Sequence, residues 1–329
     1  MPTVPDLTDC AISRGYNRFI IQQAIDRLMP NPISHPPAPF NDRPWIRAGV
    51  KLPQDAAQVP TMLTPEEGNL LHWLTRDYAT GIGAVCDLGC FAGGSTARLA
   101  SGIAASGRST QVHAFDHFTL TDTQKERYLY PAGIKPFDSP CMQHAVQHLL
   151  RPWRDIVTLR PGDITKARWR DGPIEILFID AAKTPRSADK IAETFFPHLI
   201  PGQSIVVQQD YFHWRQPWVP AQMRLLSECF ELVGWCAENT AIFRATETIC
   251  SACLNPARQT GIDDDRMVDL IGQALCGFPS RPQRAHLARA ILCVRDNPGI
   301  RIPHKMSRQA FTPARVTSVI KEMLKRFGS

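Results

Sequence analysis

The sequence contains no apolar run that approaches the length of a membrane span. Its first residues, Met1 to Cys10, have neither the basic start nor the apolar stretch of a signal peptide. The ten cysteines are scattered, and several stand inside apolar segments, where cysteine behaves as a small hydrophobic residue. These features argue against a membrane protein and against a disulfide framework. We therefore expect a cytoplasmic protein.

Blocks of like charge and interleaved basic and aromatic residues are also missing, so the sequence does not indicate a groove for single-stranded nucleic acid. The formal net charge is +6, and its basic residues gather towards the carboxyl terminus, where we interpret them as a solvated helical surface. The length of 329 residues allows one large domain or two small ones, and the seven tryptophans can contribute to a sizeable core.

The segment from Asp87 to Thr96 combines a strand end, a glycine-rich turn and a helix start. The apolar run Ala84–Cys86 leads into it. Gly89 and Gly93 let the backbone approach a ligand without a Cβ in the way. Asp87 brings a carboxylate to the carboxyl end of a strand, where open α/β sheets bind ligands. Because a carboxylate attracts an ammonium and repels a pyrophosphate, this favours S-adenosylmethionine (SAM) over a dinucleotide.

Strands and helices alternate after this segment, which predicts a doubly wound α/β sheet. The predicted strands are Ala84–Cys86, Val112–Phe115, Ile156–Leu159, Ile174–Ile179, Ser204–Val207, Leu232–Trp235 and Ala241–Phe243. The predicted helices lie near Ser95–Ser101, Met142–Leu150, Ser187–Phe196 and Ala221–Cys229. The last two strands are close enough in sequence for a hairpin, which makes the final strand antiparallel.

The glycine-rich segment resembles the first motif of class I SAM-dependent methyltransferases, acid-x-Gly-x-x-x-Gly. It is most similar to the catechol O-methyltransferase-like and macrocin O-methyltransferase-like branches, and the resemblance covers roughly residues 62–245. It implies SAM as cofactor and a seven-stranded Rossmann-like sheet with an antiparallel last strand. The cofactor-binding residues that it implies in this segment are Asp87, Gly89, Cys90, Phe91, Gly93, Ser95 and Thr96.

Further cofactor positions follow from the same resemblance. Asp116, with His117 after it, matches the acid whose carboxylate accepts hydrogen bonds from the two ribose hydroxyls. Gly162 and Asp163 match a segment beside the adenine, although Asp163 is equally well explained as a helix N-cap. Asp180 ends the next strand and also faces the cofactor.

The acceptor side of the site allows two hypotheses. In catechol O-methyltransferase-like enzymes, an acid at the position of Asp180 binds a divalent metal and a lysine at the position of Lys183 is the general base. Mg²⁺ would then be held by Asp180, Gln209 and Asp210, although Gln209–Asp210 departs from the usual order of ligands. Without a metal, the proton would be handled by Lys183, Asp210 or His213, whose imidazole titrates near neutrality.

Cys250 and Cys253 have the spacing of half a zinc site. The nearest candidates to complete it are Cys236, Cys276 and His286, and none of them forms a second tight pair. We therefore interpret the pair as something other than structural zinc.

The chain divides into three predicted regions. Residues 1–61 contain a helix at Tyr16–Leu28 and a proline-rich connector, residues 62–245 form the methyltransferase domain, and residues 246–329 are helical. The last helix carries one apolar stripe, formed by Val316, Val319, Ile320, Met323, Leu324 and Phe327. The stripe must pack against the chain's own helices or against a second copy, so we expect a monomer or a homodimer.

We therefore predict a SAM-dependent methyltransferase that acts on a hydroxyl oxygen of a small molecule or sugar. One alternative is an N-methyltransferase acting on a small amine. A second is a nucleotide-binding or sugar-nucleotide-binding protein without catalysis. We expect no nucleic-acid partner, because the Asn/Asp-Pro-Pro-Tyr/Phe signature of base amino-methylation is missing.

Overall fold

The computed structural model describes residues 40, 42–47, 50–236, 239–307 and 311–328. The helix expected at Tyr16–Leu28 and the proline-rich connector after it lie outside these residues. Within the described ranges, no helix has the length and apolar character needed to cross a membrane.

The sheet has the predicted architecture. Its strands are β1 Ala84–Leu88, β2 Val112–Asp116, β3 Val157–Pro161, β4 Ile174–Ile179, β5 Ile205–Gln208, β6 Phe230–Cys236 and β7 Thr240–Ala245. In the described chain they form one seven-stranded sheet in the order β3-β2-β1-β4-β5-β7-β6. Strands β1 to β5 are parallel, and β7 runs antiparallel to both of its neighbours. The doubly wound α/β sheet with an antiparallel last strand is thus confirmed.

Most of the helices also lie where the sequence predicts them. They are α1 Gln54–Gln58, α2 Pro65–Trp73, α3 Gly94–Ser106, α4 Asp122–Tyr128, α5 Gln143–Leu149, α6 Pro185–Phe195, α7 Trp218–Leu225, α8 Ser251–Leu254, α9 Asp264–Gly277, α10 Arg281–Asp296 and α11 Pro313–Phe327. The prediction that α7 continues to Cys229 is wrong. The chain turns after Leu225, and the Cys229 N–H donates to the Leu226 carbonyl as the chain enters β6.

Strand β4 shows why both faces of the sheet are covered. All of its residues are buried. Ile176 and Phe178 join the apolar cluster that contains α2 and α3, whereas Leu177 and Ile179 join the cluster that contains α6 and α7. Because successive side chains of a strand point to opposite faces, one continuous apolar run supplies both cores.

The carboxy-terminal helices extend the second of these clusters. Val316, Val319 and Met323 of α11 are buried, and α11 packs against α9 and α10 of the same chain. Their apolar side chains belong to one buried cluster with those of β4 and α7. The buried half of the apolar stripe is therefore covered by the chain's own helices, Ile320, Leu324 and Phe327 stay partly exposed, and this core is continuous with that of the sheet.

Gly102 marks a close contact between α3 and the segment after α2. A Cβ at this position would lie 2.0 Å from Thr75 Oγ1 and 2.4 Å from the His72 carbonyl oxygen. We expect Gly102→Ala to lower the free energy of unfolding by about 1–3 kcal/mol, because overpacking forces neighbours apart. Urea titration measures the change. Gly277→Ala is the control, since a Cβ there meets nothing within 4 Å; equal stabilities of the two variants would contradict the tight contact.

Candidate active site at the carboxyl ends of the strands

The turn from Gly89 to Gly93, between β1 and α3, is tight, and we call it the shelf. Gly89 and Gly93 have φ angles of 95° and 90°, in the left-handed region that favours glycine. A Cβ on Gly89 would approach the carbonyl carbon of Asp180 to 3.0 Å, so the turn lies directly against the chain that leaves β4. Phe91 is also left-handed, with a φ of 49°, and its N–H donates to Asp116.

Asp87 is completely buried below this shelf. Its Oδ2 accepts hydrogen bonds from Ser95 Oγ at 2.7 Å and Thr96 Oγ1 at 2.5 Å. Its Oδ1 is buried and has no hydrogen-bond partner among the described residues. A buried acceptor without a donor is costly, and the ammonium of SAM is a donor that would satisfy it. The residues at this position therefore fit SAM, and Ser95 and Thr96 serve to hold Asp87.

Asp116 ends β2 beside the shelf. Its Oδ2 accepts from the Phe91 N–H at 2.9 Å, and its Oδ1 accepts from the Phe118 N–H at 2.8 Å. Each carboxylate oxygen can accept a second hydrogen bond, and the residue is only partly buried. The carboxylate is thus fixed in place with acceptor capacity left for two vicinal hydroxyls. His117 next to it is exposed, and Cys90 is buried.

Asp163 has a clear structural role. Its carboxylate caps the turn Ile164–Lys166, accepting from both the N–H and the hydroxyl of Thr165 at 2.9 Å. The hydrogen bond from the Thr165 N–H lowers the pKa of Asp163. The N-cap interpretation is therefore confirmed, and a contact with adenine stays a prediction. Gly162, with a φ of 140°, connects the turn to β2 through its N–H, which donates to the Asp116 carbonyl.

A narrow pocket lies between the shelf and the segment before α2. The residues that the sequence pointed to along it are Gly89, Cys90, Phe91, Ser95, Asp180 and Gln209. The segment before α2 lines the same pocket with Pro60, Thr61, Met62 and Leu63. Sequence reasoning missed this segment, because nothing in its residue types indicates which part of the sheet it covers.

Two carboxylates and one ammonium meet on the acceptor side of the pocket. The Lys183 ammonium forms ion pairs with Asp180, which follows β4, and with Asp210, which follows β5. Burial opposes the positive charge, but the two carboxylates outweigh it and raise the pKa of Lys183. A lysine that holds its proton more tightly is a poor general base. The prediction that Lys183 is the base requires a lowered pKa and does not fit this arrangement.

The same contacts argue against the Mg²⁺ hypothesis. The Lys183 ammonium lies between Asp180 and Asp210, at the point where the ligands of a cation would converge. Turned so that its nitrogen faces the carboxylates, the Gln209 amide donates to Asp210 at 2.9 Å and to Asp180 at 3.1 Å. Mg²⁺ takes oxygen ligands, whereas the Lys183 ammonium that lies among them is a donor. Among the described residues, no group of three or more His, Cys, Asp or Glu side chains is placed to hold a metal.

His213 lies in the turn that carries Asp210, and its backbone N–H donates to the Asp210 carbonyl. Burial lowers the pKa of His213, which keeps the imidazole neutral at physiological pH. Its Nδ1 is buried and has no hydrogen-bond partner in the part of the chain that is described. Of the residues predicted to handle the proton, His213 is therefore the one with the properties of a base.

Gln216 completes this cluster and was missed by sequence reasoning. Its side chain is buried, and its Nε2 donates to Asp210 Oδ2 at 2.5 Å. The loop after β4 is fixed in turn by Trp218, whose Nε1 donates to the Ala182 carbonyl at 2.7 Å. The acceptor side is thus held by contacts from α7 and the turn that precedes it.

We expect Asp87 to make SAM binding depend on pH. Burial raises the pKa of Asp87 to about 6. An ammonium binds the ionised carboxylate, so the affinity for SAM should fall as the pH decreases through this value and Asp87 becomes neutral. We expect a loss approaching about tenfold for each unit below the pKa. Calorimetry across this range measures it, and Asp87→Asn should show a shallower slope between about pH 7 and 5, where Asp180, whose pKa burial raises to about 7, still titrates. Equal slopes would contradict the assignment of Asp87.

A comparison with known protein families matches the part of the chain that carries this site. Residues 86–211, from β1 to the turn after β5, match a family described as a methyltransferase domain. The match supports a class I methyltransferase and SAM as its cofactor. Among curated proteins, no match to this sequence was found.

Solved structures give weaker similarities. The SAH-bound methyltransferase PaMTH1 from Podospora anserina is 15% identical, with a TM-score of 0.40, and the alignment covers 71% of this chain and 98% of that one. MNMC2 from Aquifex aeolicus is 12% identical, with a TM-score of 0.36, over 71% of this chain and 74% of that one. At such low TM-scores the two structures say nothing about what this chain binds, and the fold follows from the strand order.

Proposed function

We propose that this chain is a SAM-dependent methyltransferase that methylates a hydroxyl oxygen of a small molecule or sugar. The observation that carries the proposal is the placement of Asp87 and Asp116 at the carboxyl ends of adjacent parallel strands, around a glycine turn. The buried, unpartnered oxygen of Asp87 suits an ammonium, and the fixed carboxylate of Asp116 suits a ribose diol. The match of residues 86–211 to a methyltransferase domain supports it.

SAM, when bound, supplies an electrophilic methyl group on its sulfonium. The chain's own residues would bind and orient the acceptor beside it, and catalysis would come mainly from positioning. His213, as a neutral imidazole, accepts the proton of the acceptor hydroxyl. Lys183, held by Asp180 and Asp210, donates a hydrogen bond to the oxygen as negative charge develops on it. This differs from the metal-dependent members of the catechol O-methyltransferase-like branch, because a lysine ammonium supplies the positive charge.

Asp180, Lys183 and Asp210 form the acceptor cluster. The charge of this cluster favours a second candidate function, methyl transfer to an amine. Burial raises the pKa of Asp180 to about 7. Above that pH, Asp180 and Asp210 outnumber the single ammonium of Lys183, which leaves a net negative charge where the acceptor would lie. A protonated amine is attracted to such a site, and His213 could take its proton before transfer.

Methyl-labelled SAM tests both candidates together. The purified chain is incubated with pools of small sugars, phenols and amines, and the labelled product is identified by mass spectrometry. Label on oxygen supports the proposal, and label on nitrogen supports the amine alternative. SAM that binds without methylating any pool would favour a non-catalytic binding protein. Absence of SAM binding would overturn the cofactor assignment itself.

A further inference from the structure

Three cysteines meet at the link between the sheet and the carboxy-terminal helices. The sulfur atoms of Cys250 and Cys253 are 3.8 Å apart. Cys229 lies behind them, within hydrogen-bonding reach of Cys253. Cys250 is exposed, Cys253 is partly exposed, and Cys229 is buried. The two outer thiols are therefore reachable from solvent and already close to each other.

This cluster is separate from the SAM site. Cys229 immediately precedes β6, and Cys250 follows β7. The register pairs the start of β6, Phe230, with the end of β7, Ala245, and places Arg244 of β7 beside Ile205 at the start of β5. The thiols therefore lie at the amino-end edge of the parallel strands, whereas Asp87, Asp116 and Asp180 lie at the opposite edge.

The thiols are not equivalent. The backbone N–H groups of Cys253 and Ala252 lie near the Cys250 sulfur and lower the pKa of that thiol. Burial raises the pKa of Cys229, so this thiol stays protonated. Cys250 has the character of the attacking sulfur, and Cys253 is the neighbour that can complete an exchange.

We propose that Cys250 and Cys253 form a thiol–disulfide exchange site that reacts with low-molecular-weight disulfides. The Cys250 thiolate attacks one sulfur of the disulfide, which forms a mixed disulfide and releases one small thiol. The Cys253 sulfur then attacks Cys250, which closes the Cys250–Cys253 bond and releases the second small thiol. The two protein thiols are oxidised, the small disulfide is reduced, and the protons of the protein thiols end on the two released molecules.

The alternative of a metal site is disfavoured by the same residues. A closed zinc site needs four ligands. Cys236, one of the residues considered to complete it, is buried at the far end of β6 from Cys229. In the described part of the chain, no set of three or more His, Cys, Asp or Glu side chains has the placement of a metal site. Bringing the two sulfur atoms from 3.8 Å to the bonded distance of about 2 Å requires only a small movement of the two side chains.

The test is peptide mapping of the intact, folded chain after exposure to oxidised glutathione, with free thiols alkylated before digestion. We expect the wild-type chain to yield a Cys250–Cys253 peptide that has lost two hydrogens and carries no glutathione. Cys253→Ser should instead retain one glutathione on Cys250, because the second step is blocked. Cys250→Ser should leave Cys253 as a free thiol at the same concentration of oxidant.

Cys141, an exposed cysteine elsewhere in the chain, is the internal control for oxidant strength. The proposal is overturned if Cys250 and Cys253 both stay free under conditions that modify Cys141. It is also overturned if wild-type Cys250 keeps a stable glutathione, or if the new bond joins Cys229. The wild-type result is decisive even if a variant is poorly folded, and none of these outcomes depends on methyltransferase activity.

Discussion

Replacing Asp116 by alanine is expected to weaken SAM binding about tenfold or more. The carboxylate is the acceptor that we assign to the ribose hydroxyls, and losing a hydrogen bond to a charged group costs about 1.5–3 kcal/mol. The change also removes the acceptor that holds the Phe91 N–H, so the shelf loses an anchor at the same time. Isothermal titration of SAM into the purified variant measures the effect.

Asp155→Ala is the matched control for this prediction. It removes the same charge from a side chain that is 90% exposed and distant in sequence from the shelf. We expect its affinity for SAM to equal that of the wild-type chain. If Asp116→Ala binds as tightly as Asp155→Ala, the ribose assignment is wrong. Thermal unfolding of both variants shows whether the loss of affinity comes from the site or from the fold.

Replacing His213 by asparagine is expected to reduce kcat by about 10²–10⁴, the usual effect of losing a general base. The affinity for SAM should be unchanged, since we place His213 on the acceptor side. The active form of the base is the neutral imidazole, and burial lowers its pKa from the usual 6.5. At saturating SAM, where the protonation of Asp87 no longer limits the rate, the wild-type kcat should therefore decrease only at pH values below that figure, and the variant should lose this acidic limb. The pH dependence of labelled methyl transfer provides the measurement.

Two further variants test whether His213, rather than another residue, is the general base. His304→Asn removes an exposed histidine in the carboxy-terminal region and should leave the rate and its pH profile unchanged. Lys183→Met should lower the rate while keeping the acidic limb, because His213 is still present. A His213→Asn chain that turns over normally, together with an inactive Lys183→Met chain, would return the role of base to Lys183.

The sheet could be predicted because its strands are apolar runs that end in acids and turns. Helix α4 was not predicted, because Asp122–Tyr128 has no apolar periodicity. A local signal was nevertheless present: Thr121 and Gln124 form a capping box, which marks a helix start even in a polar segment. The end of α7 was placed too late, because Leu226 and Cys229 continue an apolar pattern in a turn that is buried against the same core.

Only those parts of the site that lie within one segment of the sequence could be predicted. Asp87 and Asp116 follow from strand ends, since each is defined by its own segment of sequence. The role of Ser95 and Thr96 as donors to Asp87 depends on how the first turn of α3 folds back over β1. The raised pKa of Lys183 depends in part on Asp210, which follows another strand, and spacing along the chain does not show that contact.

The most direct test of the account is a crystal structure of the chain with S-adenosylhomocysteine. We predict that its ribose hydroxyls donate to Asp116, that its ammonium lies beside the unpartnered oxygen of Asp87, and that its sulfur points towards Lys183 and His213. A ligand bound elsewhere, or at this edge of the sheet with its ribose away from Asp116, would contradict the account.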